Sequence, residues 1–169
     1  MKNYIPTINV SSLLKLNFDS ASAIKTIKKI EQACVNVGFF QIIGHNINKK
    51  NINDITKVGN LFFKSSLKNK MKLAPKKWNK INKNTYRGYF PNDVNGKEGL
   101  DIGDLKVNKK YALKVKSKFI EHIELNKSFD IKSIKILKRY FDKSFILGEI
   151  LFKSIIKIYK NDTQNFQIA

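Results

Sequence analysis

The feature that most constrains this fold is a long run of apolar residues at helical spacing near its C-terminal end. Asp130 stands where it can cap a helix, and the helix predicted after it carries two apolar stripes. The stripes comprise Ile134, Leu137, Phe141, Phe145, Gly148, Phe152, Ile155 and Tyr159, and then Ile136, Tyr140, Leu147, Leu151 and Ile158. A helix that is apolar around so much of its circumference needs cover on more than one side. We expect such cover, and little of the chain follows this helix to supply it.

The N-terminal part predicts a strand, a helix and a second strand. Residues 5–10 alternate as a short strand, and Asp19 or Ser20 can cap the helix that follows. The apolar stripe of that helix is Ile24, Ile27, Ile30 and Cys34. Gly38 suits the positive φ that ends many helices. Residues 39–43 are apolar on both faces and therefore predict a buried strand.

The middle of the chain predicts a second helix, a shorter one and a long loop. The second helix begins at Asn51 or Asn53 and presents an apolar stripe. That stripe is Ile52, Ile55, Val58 and Phe62. Residues 65–73 predict a short helix after a bend, and the glycine-rich residues 79–108 predict an ordered loop. Because two clear strands do not make a stable sheet alone, we expect this chain to be part of a larger architecture.

The net charge of +20 does not by itself indicate a nucleic-acid-binding protein. Of the 33 basic residues only Arg87 and Arg139 are arginine, although base reading and bidentate phosphate contacts favour arginine. The lysines are also scattered along the chain. No apolar run reaches the ~18 residues of a membrane span, and the N-terminus lacks a signal-peptide pattern. Cys34, the one cysteine, predicts a buried, inert thiol and a reducing compartment, so we expect a cytoplasmic protein without membrane contact.

The two histidines do not predict a metal site. An iron facial triad needs two His and one carboxylate, here His45, His122 and Glu124, but the region around His122 lacks a strand pattern. We interpret His45 as part of a turn with Gly44 and Asn46, and His122 as a surface residue near a helix or loop end. We expect no metal ligands and no catalytic residues in this chain.

One loop motif favours ligand binding. Residues 85–91, TYRGYFP, place Arg87 beside Tyr89, a pair that can bind a carboxylate and stack on a ring. The alternative is that Arg87 only ties the loop to backbone carbonyls or to a nearby acid, and the residues leave both open. A small acidic cluster follows in the loop, for which we expect pairing with local lysines. Its members are Glu98, Asp101 and Asp104.

Taken in order, four stretches and the final helix resemble the N-terminal half of the isopenicillin N synthase-like family of 2-oxoglutarate and iron(II)-dependent oxygenases. The stretches are IPTINV at 5–10, EQACVNVGFFQIIGHNI at 31–47, LFFKSSLKNKMKL at 61–73, and YRGYFP at 86–91 with KEGLDIG at 97–103. Three positions depart from the family pattern. Asn9 stands where an acid is usual, Asn46 replaces a Gly and Ser66 replaces a Pro.

The resemblance implies an α+β fold: helices and two or three edge strands packed on a jelly-roll barrel whose catalytic part is absent from this chain. Residues 1–108 would be the dioxygenase N-terminal domain, and residues 109–169 would be a connecting segment with the long helix that leads to the barrel. The family's iron ligands, a His-x-Asp pair and a distant His, have no counterpart here. Its Arg-x-Ser for 2-oxoglutarate has none either.

The resemblance therefore predicts the non-catalytic N-terminal part of an oxygenase that acts on a small molecule. Fe(II) and 2-oxoglutarate would belong to the complete enzyme, and the missing barrel would be this chain's partner. Arg87 and Tyr89 would contact the substrate or pack the entrance loop. Two alternatives remain: a stand-alone interaction module, and a basic nucleic-acid-binding protein, which we favour less.

Overall fold

The computed structural model describes residues 5–92, 96–106 and 120–162, with side chains described as far as Ile158. These residues form a helix-rich α+β structure with short strands. The helices are α1 (Ala21–Asn36), α2 (Lys49–Lys64), α3 (Leu67–Met71) and α4 (Ile131–Asp162), with 3₁₀ turns at Leu13–Lys15 and Leu125–Lys127. The strands are β1 (Thr7–Asn9), β2 (Gln41–Ile43), β3 (Gly88–Phe90) and β4 (Gly99–Asp101).

The chain divides into two packing units. The first comprises residues 1–48 and 143–169, and the second comprises residues 49–142. Helix α4 is continuous through the division, so its beginning belongs to the second unit and its remainder to the first.

In the first unit, β1 and β2 pair in parallel, with Ile8 opposite Ile42. One core cluster lies beside this pair, and helix α1 supplies half of it. Its buried members are Ile8, Val10, Leu13, Ala23, Ile27, Ile30, Ala33 and Ile150. Both ends of α1 follow the sequence prediction. The Ser20 hydroxyl accepts from the Ala23 amide, and Gly38 ends the helix at φ 90°.

Two predictions for this unit are wrong. Cys34 is exposed, because the buried face of α1 continues from Ile30 to Ala33 rather than to the next position. The second strand is not buried either: Phe39 is 60% exposed and Ile43 is 51% exposed. Among the described residues only the face that carries Ile42 packs against the core, so the opposite face lacks cover.

The second unit has its own aromatic core around Phe62 of α2. The Phe62 ring stacks on Phe129 at 4.9 Å and meets the Tyr89 ring edge-on at 5.9 Å. The buried members of this cluster are Val58, Phe62, Leu73, Ala74, Tyr89, Ile123, Leu125 and Leu137. Helix α2 begins at Lys49, earlier than predicted, and Ile52 of the predicted stripe is 39% exposed.

Helix α3 begins as expected after a bend. The Ser66 hydroxyl accepts from the Asn69 amide, and Ser66 has φ −57°, a value that the ring of proline would also impose. The departure from Pro at this position therefore keeps the backbone conformation and adds a side-chain cap.

The segment predicted as one long loop contains a short antiparallel pair. Strands β3 and β4 align Tyr89 with Leu100, and the Tyr89 amide also donates to the Leu73 carbonyl. Gly88 has φ 136°, and a Cβ there would lie 2.1 Å from the Leu73 carbonyl oxygen. Only glycine fits this position, because both the backbone angle and the close approach exclude a side chain.

Helix α4 is covered on part of its circumference. Leu137 and Ile150 are buried, whereas Phe145, Ile146 and Phe152 are each more than half exposed. The cap predicted at Asp130 is present, since its carboxylate accepts from the Ser133 amide at 2.6 Å. No helix in the described part of the chain has the length and apolar character to cross a membrane.

Candidate functional site

The Thr85–Arg87 backbone holds a carboxylate from elsewhere in its own unit. The Glu121 Oε1 atom accepts from the Thr85 amide at 2.7 Å and from the Thr85 hydroxyl at 2.9 Å. Its Oε2 atom accepts from the amides of Tyr86 at 3.0 Å and Arg87 at 2.8 Å. Three successive amides and one hydroxyl thus converge on one carboxylate.

This arrangement stabilises the ionised form of Glu121. Partial burial raises the pKa of its carboxyl, but the bonds from the amides of Arg87, Thr85 and Tyr86 and from the Thr85 hydroxyl outweigh burial. The pKa of Glu121 is therefore lowered from its ordinary value.

The Arg87 side chain contacts an acid of the adjacent strand. Its Nη1 atom donates to Asp101 Oδ1 on β4, and its guanidinium lies 5.1 Å from the centre of the Tyr86 ring. Gly103 approaches the same side chain, since a Cβ there would lie 2.9 Å from Arg87 Nε. Arg87 therefore pairs with β4 from the position just before β3. The contact with a nearby acid that the sequence allowed is present, and a role of Arg87 in substrate binding stays a prediction.

Tyr89 lies in a partly buried polar cluster. Its ring is 1% exposed, and its hydroxyl donates to Glu98 Oε2 at 2.6 Å. Lys70 Nζ donates to the same oxygen at 2.7 Å and to the Phe63 carbonyl at 3.1 Å. Glu98 thus joins α3 to β3, and Lys70 in turn contacts the end of α2.

The contacts of this cluster stabilise the charged forms of Glu98 and Lys70 and the neutral form of Tyr89. The hydrogen bonds from Lys70 and Tyr89 lower the pKa of Glu98. The bond to Glu98 raises the pKa of Lys70, and burial followed by the same carboxylate raises the pKa of Tyr89. Near neutral pH the cluster consequently holds an ionised Glu98, a charged Lys70 and a neutral tyrosine.

Two members of the acidic cluster predicted in the loop differ from the expected pairing with local lysines, because the lysine that pairs with Glu98 lies 28 residues away and the partner of Asp101 is an arginine. Glu98 pairs with a lysine, Lys70, whereas Asp101 pairs with Arg87. Asp104 accepts from the Lys106 amide at 2.8 Å.

The structure places the two histidines in different units. His45 lies in the predicted turn, where its Nδ1 atom accepts from the Ile47 amide at 3.1 Å and Asn46 has φ 58°. His122 is half-buried just before a 3₁₀ turn, and its carbonyl accepts from Asn84 Nδ2. In residues 5–92, 96–106 and 120–162, no three His, Cys, Asp or Glu side chains gather closely enough to hold a metal ion. The described residues therefore do not fit an iron(II) site.

The sequence prediction named Arg87 and Tyr89 but not Glu121 and Lys70, which the structure places in contact with this segment and its partner Glu98. Glu121 lies 34 residues from Arg87 along the chain, and Lys70 lies 28 residues from Glu98. A single sequence contains no signal that connects such distant positions. The sequence shows only that acids are scarce, with 13 against 33 basic residues, so that each acid has many possible basic partners.

Fold and site together define a small, helix-rich α+β region whose loop is held by paired charges. The sequence profile of the family described as non-haem dioxygenase in morphine synthesis, N-terminal, matches residues 5–128. The chain belongs to this family, which confirms the resemblance seen in the sequence.

The names of curated relatives agree with this family assignment. A homoarginine-6-hydroxylase of Arabidopsis thaliana is 34% identical over 104 residues, which cover 58% of this chain and 28% of the relative. A probable iron/ascorbate oxidoreductase of Dictyostelium discoideum is 31% identical over 148 residues, covering 76% of this chain and 38% of the relative. A 2-oxoglutarate-dependent dioxygenase of Talaromyces stipitatus is 32% identical over 87 residues, with 52% and 26% covered. The chain therefore spans well under half the length of each of these relatives.

Proposed function

We propose that this chain is the non-catalytic N-terminal part of a 2-oxoglutarate and iron(II)-dependent oxygenase that acts on a small molecule. The observation that carries this proposal is the family match over residues 5–128. Relatives named as 2-oxoglutarate-dependent dioxygenase and as iron/ascorbate oxidoreductase support it. In this proposal residues 1–108 are the N-terminal domain, and residues 109–169 connect it to a jelly-roll barrel outside this sequence.

The apolar surface of the first unit supports a missing partner. Phe39 and Ile43 at β2, and Phe145 and Phe152 of α4, are each more than half exposed. An apolar surface that another structure covers in the complete protein would leave such side chains exposed in this chain. We propose that the barrel covers them, in a cytoplasmic enzyme.

The chemistry would belong to that barrel. Iron(II) and 2-oxoglutarate would be held there and would supply the activation of O2, since the described residues of this chain bring no three metal-ligating side chains together. The part of this chain in catalysis would be to shape the entrance: the Glu121 and Glu98 contacts hold the Thr85–Pro91 segment in a defined conformation. We propose that Arg87 and Tyr89 act in this segment, by substrate contact or by packing of the entrance loop.

The proposal is tested by comparing two proteins made from the same transcript. One is residues 1–169, and the other is the product read past the codon for Ala169, including across one frameshift. Anaerobic calorimetry measures iron(II) binding, and succinate release measures 2-oxoglutarate turnover. We expect residues 1–169 to show neither and the extended product to show both.

Two results would contradict the proposal. Iron(II) binding and turnover by residues 1–169 alone would show that the chain is itself catalytic. A genuine stop codon after Ala169, with no barrel encoded nearby, would make a stand-alone interaction module the leading interpretation, because the exposed apolar side chains would then need another partner.

A further inference from the structure

The contact between Glu121 and the Thr85–Arg87 backbone has the composition of an anion-binding site. Successive backbone amides that point at one place form a concave nest, and such nests bind carboxylates and phosphates in many proteins. Here the amides of Thr85, Tyr86 and Arg87 lie 2.7, 3.0 and 2.8 Å from the Glu121 oxygens. The Thr85 hydroxyl adds a fourth donor at 2.9 Å.

The donors match a carboxylate in number and arrangement. Each oxygen of Glu121 accepts two of the four bonds, so both ends of the carboxylate are held. The Arg87 guanidinium pairs with Asp101, so Arg87 contributes its amide to the nest. The net charge of +20 adds a general attraction for anions.

The nest is within reach of solvent. Thr85 and Tyr86 are exposed, with Tyr86 at 41%, while Arg87 and Glu121 are half-buried. The two residues that supply three of the four donors therefore lie at the protein surface.

We propose that the Thr85–Arg87 backbone is a carboxylate-binding nest that Glu121 fills as an internal ligand, and that the carboxylate of a small organic acid takes this place when Glu121 is withdrawn. Because Glu121 is tethered to the nest, a free acid competes against a high effective concentration and binds appreciably only in its absence. The proposal of the nest is argued from the geometry of these contacts alone. Its use by a substrate would rest on the proposed function.

The test is chemical rescue of the substitution Glu121→Ala in residues 1–169. Amide hydrogen exchange of Thr85, Tyr86 and Arg87 is followed by NMR during a titration with sodium acetate, and sodium chloride at equal ionic strength is the comparison. We expect exchange in the variant to be about tenfold faster than in the wild type, or more, because the amides have lost their acceptor. Acetate should restore protection in a saturable manner, and chloride should not.

Glu124→Ala is the matched control, since it removes a nearby exposed carboxyl that pairs with Lys127 outside the nest. We expect wild-type exchange at the three amides in this control and no response to acetate. Absence of rescue in Glu121→Ala, or equal rescue by chloride, would overturn the proposal.

If Glu121→Ala does not fold in dilute buffer, refolding yield replaces exchange as the measurement. The proposal then expects folded protein in acetate and not in chloride. Equal yields in the two salts, or no folding in either, would overturn it. Because this test uses the chain alone, its failure does not bear on the family or on the proposed oxygenase function.

Discussion

At the scale of single residues, a few contacts hold the Thr85–Pro91 segment in its conformation. Gly88 sits against the Leu73 carbonyl, Tyr89 fills the aromatic core with its hydroxyl on Glu98, and Glu121 holds the preceding amides. Each contact joins residues more than eight positions apart, so each fixes the loop to the body of its unit.

The substitution Gly88→Ala should destabilise the protein by about 2 kcal/mol or more, because it adds a Cβ at 2.1 Å from a backbone oxygen and at φ 136°. Gly99→Ala on the facing strand is the control, since nothing lies within 4 Å of its added Cβ. We expect a change within about 0.5 kcal/mol there. Urea denaturation measures both, and equal losses would refute the steric explanation.

The substitution Tyr89→Phe should cost about 1 kcal/mol of unfolding free energy, because it removes one partly buried hydrogen bond and keeps the ring. Tyr86→Phe removes a hydroxyl from a ring that is 41% exposed, and we expect a smaller loss. The urea midpoints of the two variants, compared with that of the wild type, measure both losses of stability. A Tyr89→Phe midpoint equal to that of the wild type would mean that the Glu98 contact contributes nothing to stability.

At the scale of elements, the sequence predicted what neighbouring residues decide. Ser20, Gly38, Asn46 and Asp130 were recognised because caps and turns depend on a few adjacent positions. The β3–β4 pair was missed, since strands of three residues that begin with glycine contain no alternation to recognise.

Burial was predicted less well than element boundaries. Cys34, Ile24 and Ile52 were assigned to buried stripes and are exposed, because a shift of one helical position moves a side chain by about 100° around the axis. For the candidate site, Arg87 and Tyr89 were within reach of the sequence. Their partners Asp101, Glu98 and Glu121 follow only from tertiary packing.

The cap of α4 gives a test with its own control. Asp130→Ala should lower the urea midpoint of unfolding, because the Ser133 amide loses its acceptor, whereas Asp130→Asn should keep most of the stability since asparagine also caps helices well. Urea denaturation of the three proteins measures the difference. Equal losses in both variants would indicate that charge, rather than capping, is what matters at this position.

At the scale of the whole molecule, two carboxylates of the second unit make stability depend on pH. The pKa values of Glu98 and Glu121 are both lowered in the folded state. A group with a lowered folded pKa contributes stability that is complete above its unfolded pKa and is lost as the pH falls through its folded pKa.

We therefore expect the free energy of unfolding to fall as the pH decreases below the ordinary glutamate value of 4.5. Glu121→Gln should be less stable at pH 7 and should lose less stability on acidification, because one titrating contact is gone. Urea midpoints across the acid range measure the slopes, and an unchanged slope in Glu121→Gln would contradict the prediction.

The contribution of α4 to the first unit has a consequence for biosynthesis. Ile150 is part of the cluster that holds Ile8 and Ile30, and Lys157 pairs with Asp19. A ribosome makes the chain from its N-terminus, so residues 5–48 leave the exit tunnel well before the residues that complete their core. During that interval the first strands and helix have no finished interior, whereas the second unit can close around Phe62 with the start of α4 alone. We expect folding during translation to begin in the second unit. The first unit should fold afterwards, once the later part of α4 has been made.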